Sequence, residues 1–221
     1  MSRATGSERL VEPPRPESLI PTQRARRERI VDQAFEALVT QDYDDIQVRD
    51  IAERAGVALG TVYRYFASKE HLIAAALVKW GDALRQRVQR RPMAATDVSG
   101  QLHEVYLRAI DAFHRRPQVF RALMTIDTTT DPYARELWRE FGRVSSEAFD
   151  EPLQSLDPQV AEKVSNTLLP VLHGLLRAWS NGSMTIDEAR SRMSDAIDLI
   201  FSVPPQPAGA TSLEPVAIAG T

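Results

Sequence analysis

Apolar side chains recur every three to four residues along most of this chain, and short polar or proline-containing stretches cut the pattern into helix-length pieces. In residues 22–40, Ile30, Val31, Ala34, Phe35 and Leu38 fall on one face and predict an amphipathic helix, which the run Gln41-Asp42-Tyr43-Asp44-Asp45 ends. The next stretch, VRDIAERAGVALGTVYRYFASK (48–69), reads as two short helices meeting at a corner. Ile51 and Ala52, then Val57, Val62, Tyr63 and Phe66, have the spacing of two inner faces. Gly56 between them can take the left-handed backbone that closes a helix without steric cost. Ser68 then caps a long helix to about residue 90, carrying Leu72, Ile73, Ala76, Leu77, Trp80 and Leu84 out of the corner into the rest of the chain.

Four or five further helices follow the break at 91–96. One covers 98–114, with Leu102, Val105, Tyr106, Ala109, Ile110 and Phe113 on one face, and Pro117 opens a shorter one. Asp131-Pro132 and Asp157-Pro158 each pair a cap with proline at the first helical position, starting helices to about 149 and 179. Thr185 with Glu188 forms a capping box for a last helix to about 201. The last two helices carry apolar groups on more than one face, so each needs more than one packing partner. The pattern predicts an all-α protein: a disordered arm (1–21), a three-helix helix-turn-helix domain (22–67), a larger helical domain (68–202) and a disordered tail (203–221).

Composition narrows the classes. At 221 residues and 43% hydrophobic content, a proper core is expected. No apolar run approaches the ~20 residues of a membrane span, and the first residues lack a signal peptide's apolar centre, so the cytoplasm is the expected location. The absence of cysteine excludes disulfides and thiol chemistry. Net charge is −3 but unevenly spread: 16 basic and 13 acidic residues up to Arg91, 11 and 17 after it, so the half with the corner is the basic half. No catalytic constellation is visible. There is no Gly-rich phosphate loop, HExxH or GxSxG, and His71, His103, His114 and His173 have no acidic or nucleophilic partner nearby in sequence. Neither a catalytic residue nor a metal ligand nor a cofactor is expected.

On the outer face of the second corner helix, the spacing places Thr61 and Tyr65 together with Gly60 and Arg64 beside them, a surface suited to phosphates and base edges. A packing corner inside any all-α domain has the same pattern, and spacing does not choose between the two. The run IAERAGVALGTVYRYFASKEHL resembles the DNA-binding signature of the TetR family of bacterial transcriptional repressors, over roughly residues 24–76. The resemblance implies a DNA-binding domain followed by a helical domain for ligand binding and dimerisation. Its implied DNA-contacting residues are Arg24, Arg27, Gln47, Arg49, Leu59, Gly60, Thr61, Tyr63, Arg64, Tyr65 and Lys69. Gln47 and Ala58 depart from the Ser or Thr caps usual in the family, which puts phosphate contacts at those two positions in doubt. Leu59 fits the buried face by spacing and the DNA face by resemblance; the exposed reading is favoured.

For the second domain the resemblance implies an inducer cavity among Tyr106, Ile110, Phe113, Phe120, Met124, Trp138, Phe141, Leu172 and His173, although such residues at helical spacing ordinarily pack as core. It also implies a four-helix dimer interface including Leu168, Leu175, Trp179, Met193, Ile197 and Ile200. GTVYRYFASKEHL, AFHRRPQVF and GLLRAW are similar to the family's repressors of sterol and cholesterol catabolism, which points to a steroid or acyl-CoA type inducer. The expected partners are therefore double-stranded palindromic operator DNA, a hydrophobic small molecule and a second copy of the chain, with no membrane. The rival reading is a helical protein-interaction module that binds no DNA.

Overall fold

The computed structural model describes residues 12–90, 92–147 and 149–202. Within them lie nine α-helices and no strand: α1 (Pro21–Leu38), α2 (Val48–Arg54), α3 (Leu59–Tyr65), α4 (Lys69–Arg90), α5 (Val98–His114), α6 (Pro117–Asp127), α7 (Pro132–Glu147), α8 (Pro158–Ser180) and α9 (Ile186–Ser202). Among the described residues no helix is long and apolar enough to cross a membrane.

Local chemistry sets most helix ends. Ser68 Oγ accepts the His71 N–H at 2.9 Å, and Asp97, Asp131 and Asp157 accept from Gly100, Ala134 and Gln159 at 2.8–2.9 Å. Thr185 and Glu188 form the reciprocal box: the Glu188 N–H donates to Thr185 Oγ1 and the Thr185 N–H to Glu188 Oε2. Gln47 and Ala58 make no side-chain cap. At the corner, Gly56 takes φ +66°, with its N–H on the Glu53 carbonyl and that of Val57 on Ala52, both at 3.0 Å. That is the paired closure by which a left-handed residue ends a helix.

The head, α1 to α3, and the body, α5 to α9, share one contiguous apolar core, and α4 joins them. It packs against α1 at one end and lies along α7 over its length. Leu72, Ile73, Ala76 and Leu77 are all fully enclosed. Gly81 marks the tightest approach, since a Cβ there would come within 2.9 Å of the Phe141 ring. In the body, α9 packs on α5 and α8.

Two expectations need correction. Part of the supposed disordered arm is packed: Pro13 and Leu19 are buried, a 3-10 turn occupies Pro16–Ser18, and α1 already begins at Pro21. Leu19 supplies apolar area that a proline-rich composition conceals. The rest of that arm (1–11) and the expected tail (203–221) lie outside the described residues. In addition, Leu168, Met193 and Ile197, expected at a subunit interface, are fully enclosed within this chain, and Leu175 is buried as well. The mutual packing of α5, α8 and α9 consumes those faces; Trp179 and Ile200 remain half-buried.

At the joint, His71 Nδ1 accepts the Ala67 N–H at 3.2 Å, and its ring stacks on Tyr133. Burial pulls its pKa down to about 4; Asp131 opposes the shift and Arg27 adds to it. The unfolded chain therefore takes up a proton that the folded state refuses, so this contribution is complete above the ordinary value of 6.5 and is lost as pH falls towards 4. Urea unfolding of the protein and of His71→Gln should show the variant losing about 2 kcal/mol less between pH 7 and pH 5. An equal loss in both would exclude His71 as its source.

Candidate nucleic-acid interface and ligand cavity

Helix α3 is two turns long, and its rotation is fixed by what it buries. Val62 and Phe66 are fully enclosed, and Tyr65, three residues after Val62, is only 2% exposed. Leu59 (40%) and Tyr63 (46%) face outward, with Gly60 and Arg64 also exposed and Thr61 half-buried. The outward position favoured for Leu59 is the one observed. The spacing expectation for the tyrosines is reversed: Tyr63 stands on the outer face, where the resemblance also put it, and Tyr65, expected among the DNA contacts, is inside. Val62, Tyr65 and Phe66 form the i, i+3, i+4 set that a helix buries, whereas Tyr63 lies about 100° away from Val62.

The basic residues divide in the same way. Arg24 and Arg49 are exposed, the former reaching the Leu19 carbonyl at 3.4 Å, and Gln47 is exposed at the start of α2. Arg27 is turned inward, with its guanidinium 4.9 Å from the centroid of Phe66. It makes no hydrogen bond or ion pair among the described residues, and burial lowers its pKa. Its expected place along a DNA backbone is thus corrected, because α1 presents this position to the joint. Lys69 is half-buried, with Nζ 4.3 Å from the centroid of the Tyr43 ring, and desolvation lowers its pKa against the pull of Asp44, Glu70 and Asp45.

The body holds an apolar cavity of about 340 Å³ between α4, α5, α6, α7 and α8. Seven of the nine residues expected there line it: Phe113, Phe120, Met124, Trp138, Phe141, Leu172 and His173. Tyr106 and Ile110 do not; both are buried elsewhere in the core, with Tyr106 tilted against Phe149 at 4.5 Å between centroids. Burial raises the Tyr106 phenol's pKa. The walls are aromatic: Trp80 meets Phe113 at 4.8 Å, Phe113 meets Phe120 edge-on at 5.4 Å, and Trp138 stacks on Phe141 at 5.3 Å. Sequence reasoning did not place Trp80, Gly81 and Leu84 of α4 on this wall, although a glycine inside an apolar helix face is a signal of close approach. Polar groups gather at one side, where Arg177 lies 3.7 Å from Asp127 beside His173. Desolvation lowers the His173 pKa, with Asp127 opposing and Arg177 assisting.

These features define a helix-turn-helix head joined by one shared helix to a hollow helical body. Residues 30–76 match the domain described as "Bacterial regulatory proteins, tetR family". The chain is 26% identical over 186 residues to the HTH-type transcriptional repressor KstR of Mycolicibacterium smegmatis, covering 84% of this chain and 91% of that one. It is similar to the crystal structure of a TetR transcriptional regulator from Rhodococcus sp. RHA1, with a TM-score of 0.66, 27% identity, and coverage of 82% and 98%. A fold likeness extends to the transcriptional regulator FadR from Bacillus subtilis in complex with stearoyl-CoA, with a TM-score of 0.59, 17% identity, and coverage of 79% and 97%. Residues 30–76 thus carry the DNA-binding domain of the TetR family of bacterial regulatory proteins, and the chain as a whole resembles TetR-family transcriptional regulators, with a weaker resemblance to the KstR group.

Because Tyr65 is core, Tyr65→Ala should cost about 3–5 kcal/mol in urea unfolding. Tyr65→Phe, which removes only a buried hydroxyl without a partner, should be neutral or stabilising. Equal destabilisation by the two would show that the hydroxyl is bonded after all.

Proposed function

We propose that the protein is a dimeric, ligand-responsive transcriptional repressor that reads a palindromic operator with α3 and is released by a hydrophobic small molecule. The observation that carries this reading is the double use of α4. Its first turns support the recognition helix, while Trp80, Gly81 and Leu84 form a wall of the cavity. A second tie runs through α6, whose Phe120, Leu123 and Met124 face the cavity. From the same helix, Arg121 binds Asp42 at 2.5 Å, and Gln118 donates to the Val39 carbonyl at 3.3 Å. Occupation of the cavity thus displaces two helices that are bonded to the head. The coupling required is about 1–3 kcal/mol.

In the bound state, α3 of each subunit enters a major groove, with the two grooves roughly 34–36 Å apart. Gly60 lets the backbone approach, Leu59 offers an apolar contact to a thymine methyl, Tyr63 reaches a phosphate, and Arg64 reads a base edge or phosphate. Thr61, Arg24, Gln47, Arg49 and Lys69 border that face. Association of two chains would use the exposed end of the α8–α9 pair. These helices are antiparallel neighbours, so Val160 at the start of α8 and Leu199 and Phe201 at the end of α9 lie at one end; Leu199 is 65% exposed.

The cavity suits the apolar body of one amphipathic molecule, a steroid skeleton or an acyl chain, with its polar end at Arg177 and His173. Its volume lies towards the small end of ligand pockets, whose range is about 300–1,000 Å³, so the nucleotide part of an acyl-CoA would lie outside. FadR, with stearoyl-CoA, provides a precedent for that ligand class within the fold.

Selection from random duplexes should return a palindrome. On it, Arg64→Ala should weaken binding and lower the salt slope by about one; unchanged affinity and slope would remove the DNA assignment. Steroids or fatty-acyl thioesters should raise Tm and release that operator, and Leu172→Trp, which fills the cavity, should abolish both effects while leaving operator affinity intact. No response to either class would sink the ligand reading. Leu199→Glu should sediment as a monomer; an intact dimer would place the interface elsewhere.

A further inference from the structure

The apolar cavity adjoins a second space. Ser146 and Leu169, two of its wall residues, also line a groove of about 540 Å³ between the end of α7, the 3-10 turn Glu151–Ser155 and the first half of α8. Along α8 the two spaces follow one stripe: Leu172, His173 and Arg177 line the cavity, Leu169 lines both, and Pro158, Ala161 and Ser165 line the groove. Residues three and four apart are neighbours on a helix surface. At about 1.5 Å per residue, Arg177 to Leu169 spans about 12 Å and Arg177 to Pro158 about 28 Å. The groove keeps an apolar floor, through Leu153, Leu156 and Ala161, but its charge differs from that of the cavity's Arg177 end. Among the described residues no basic side chain lines it, and Asp150 and Glu162 do. Burial and the nearby Glu147 raise the Asp150 pKa, so negative charge is already crowded there. Pro170 has no N–H to give the Asn166 carbonyl, which adds an acceptor at the same groove.

We propose that the ligand is an unbranched long-chain carboxylate whose chain runs from the cavity past Leu169 into this groove, which makes Leu169 the residue that sets chain-length preference. The inference rests on the reading of the apolar cavity as the ligand site and narrows its ligand to one class. A fused-ring skeleton is short and rigid and leaves the groove unused. A saturated chain has the length to occupy both spaces and the freedom to turn between Ser146 and Leu169, gaining apolar burial along the way. The acidic, acceptor-rich groove disfavours an anionic group, so the carboxylate lies at the other end. There Arg177 is 64% exposed and 3.7 Å from Asp127, too far for a hydrogen bond, so its fork is open to a carboxylate. Asp127 offsets part of that positive charge, which suits one carboxylate better than the several phosphates of an acyl-CoA.

Calorimetric titration of the full-length protein without DNA, using decanoate, palmitate, palmitoyl-CoA and progesterone below their micelle or solubility limits, tests this apart from operator binding. Decanoate is about as long as the cavity, and palmitate outreaches it. Palmitate should bind at least tenfold more tightly than decanoate and than its CoA thioester. Ser165→Trp, which fills the groove away from the cavity, and Leu169→Trp, which closes the passage, should each bring palmitate down to the parent's affinity for decanoate while leaving decanoate binding unchanged. Arg177→Gln should weaken both acids alike. Equal affinity for the two acids, tighter binding of the CoA thioester, or unchanged palmitate affinity in both groove variants would each overturn the inference. Binding of progesterone without palmitate would overturn it and leave the ligand reading standing, whereas binding of none of the four would remove both. A changed sedimentation of Ser165→Trp with palmitate affinity intact would assign the groove to a subunit contact instead.

Discussion

The structure depends on the burial of α4 on two sides. Its first half is enclosed by the head through Leu72, Ile73, Ala76 and Leu77, and its second half presses on α7 so closely that Gly81 leaves no room for a methyl group beside Phe141. Tight interiors do not deform smoothly; they pass between discrete packings. In the proposed switch, a helix gripped in this way is the element that carries displacement from the small cavity along its flank to a recognition helix the cavity does not touch.

The polar contacts of α6 reinforce that geometry. Arg121 with Asp42 is an exposed ion pair and contributes little stability alone. Its importance is positional, because together with Gln118 and Arg116 on the Val39 carbonyl it pins the end of α1 to the helix whose other face lines the cavity. Stability resides in the apolar core; in the proposed switch, these few hydrogen bonds set the direction of movement.

Features of the sequence that act within a few residues were legible. Gly56 at positive φ, the Ser68, Asp131 and Asp157 caps and the Thr185–Glu188 box all appear where the residues placed them, since each is decided by the backbone beside it. Seven of the nine proposed cavity residues also line one space, because their helices had to bury those faces against one another. The misplacements have a common cause. Tyr63 and Tyr65 both satisfy a loose apolar period on a helix of two turns, and only the packing beneath α3 fixes its rotation. Arg27 was legible as a cation but not as one turned towards Phe66. Leu168, Met193 and Ile197 were legible as buried but not as buried by their own chain.

By itself, then, the sequence determined the all-α class, the helix-turn-helix and its closing glycine, the helix boundaries and the basic bias of the head, since these follow from periodicity, caps and composition. Tertiary structure alone decided which tyrosine faces outward, that α4 walls the apolar cavity, that the segment before α1 packs at the joint, and that Arg27 turns inward there. Those outcomes turn on distances between segments far apart in the chain, and a helical period specifies a face without specifying the neighbour that will cover it.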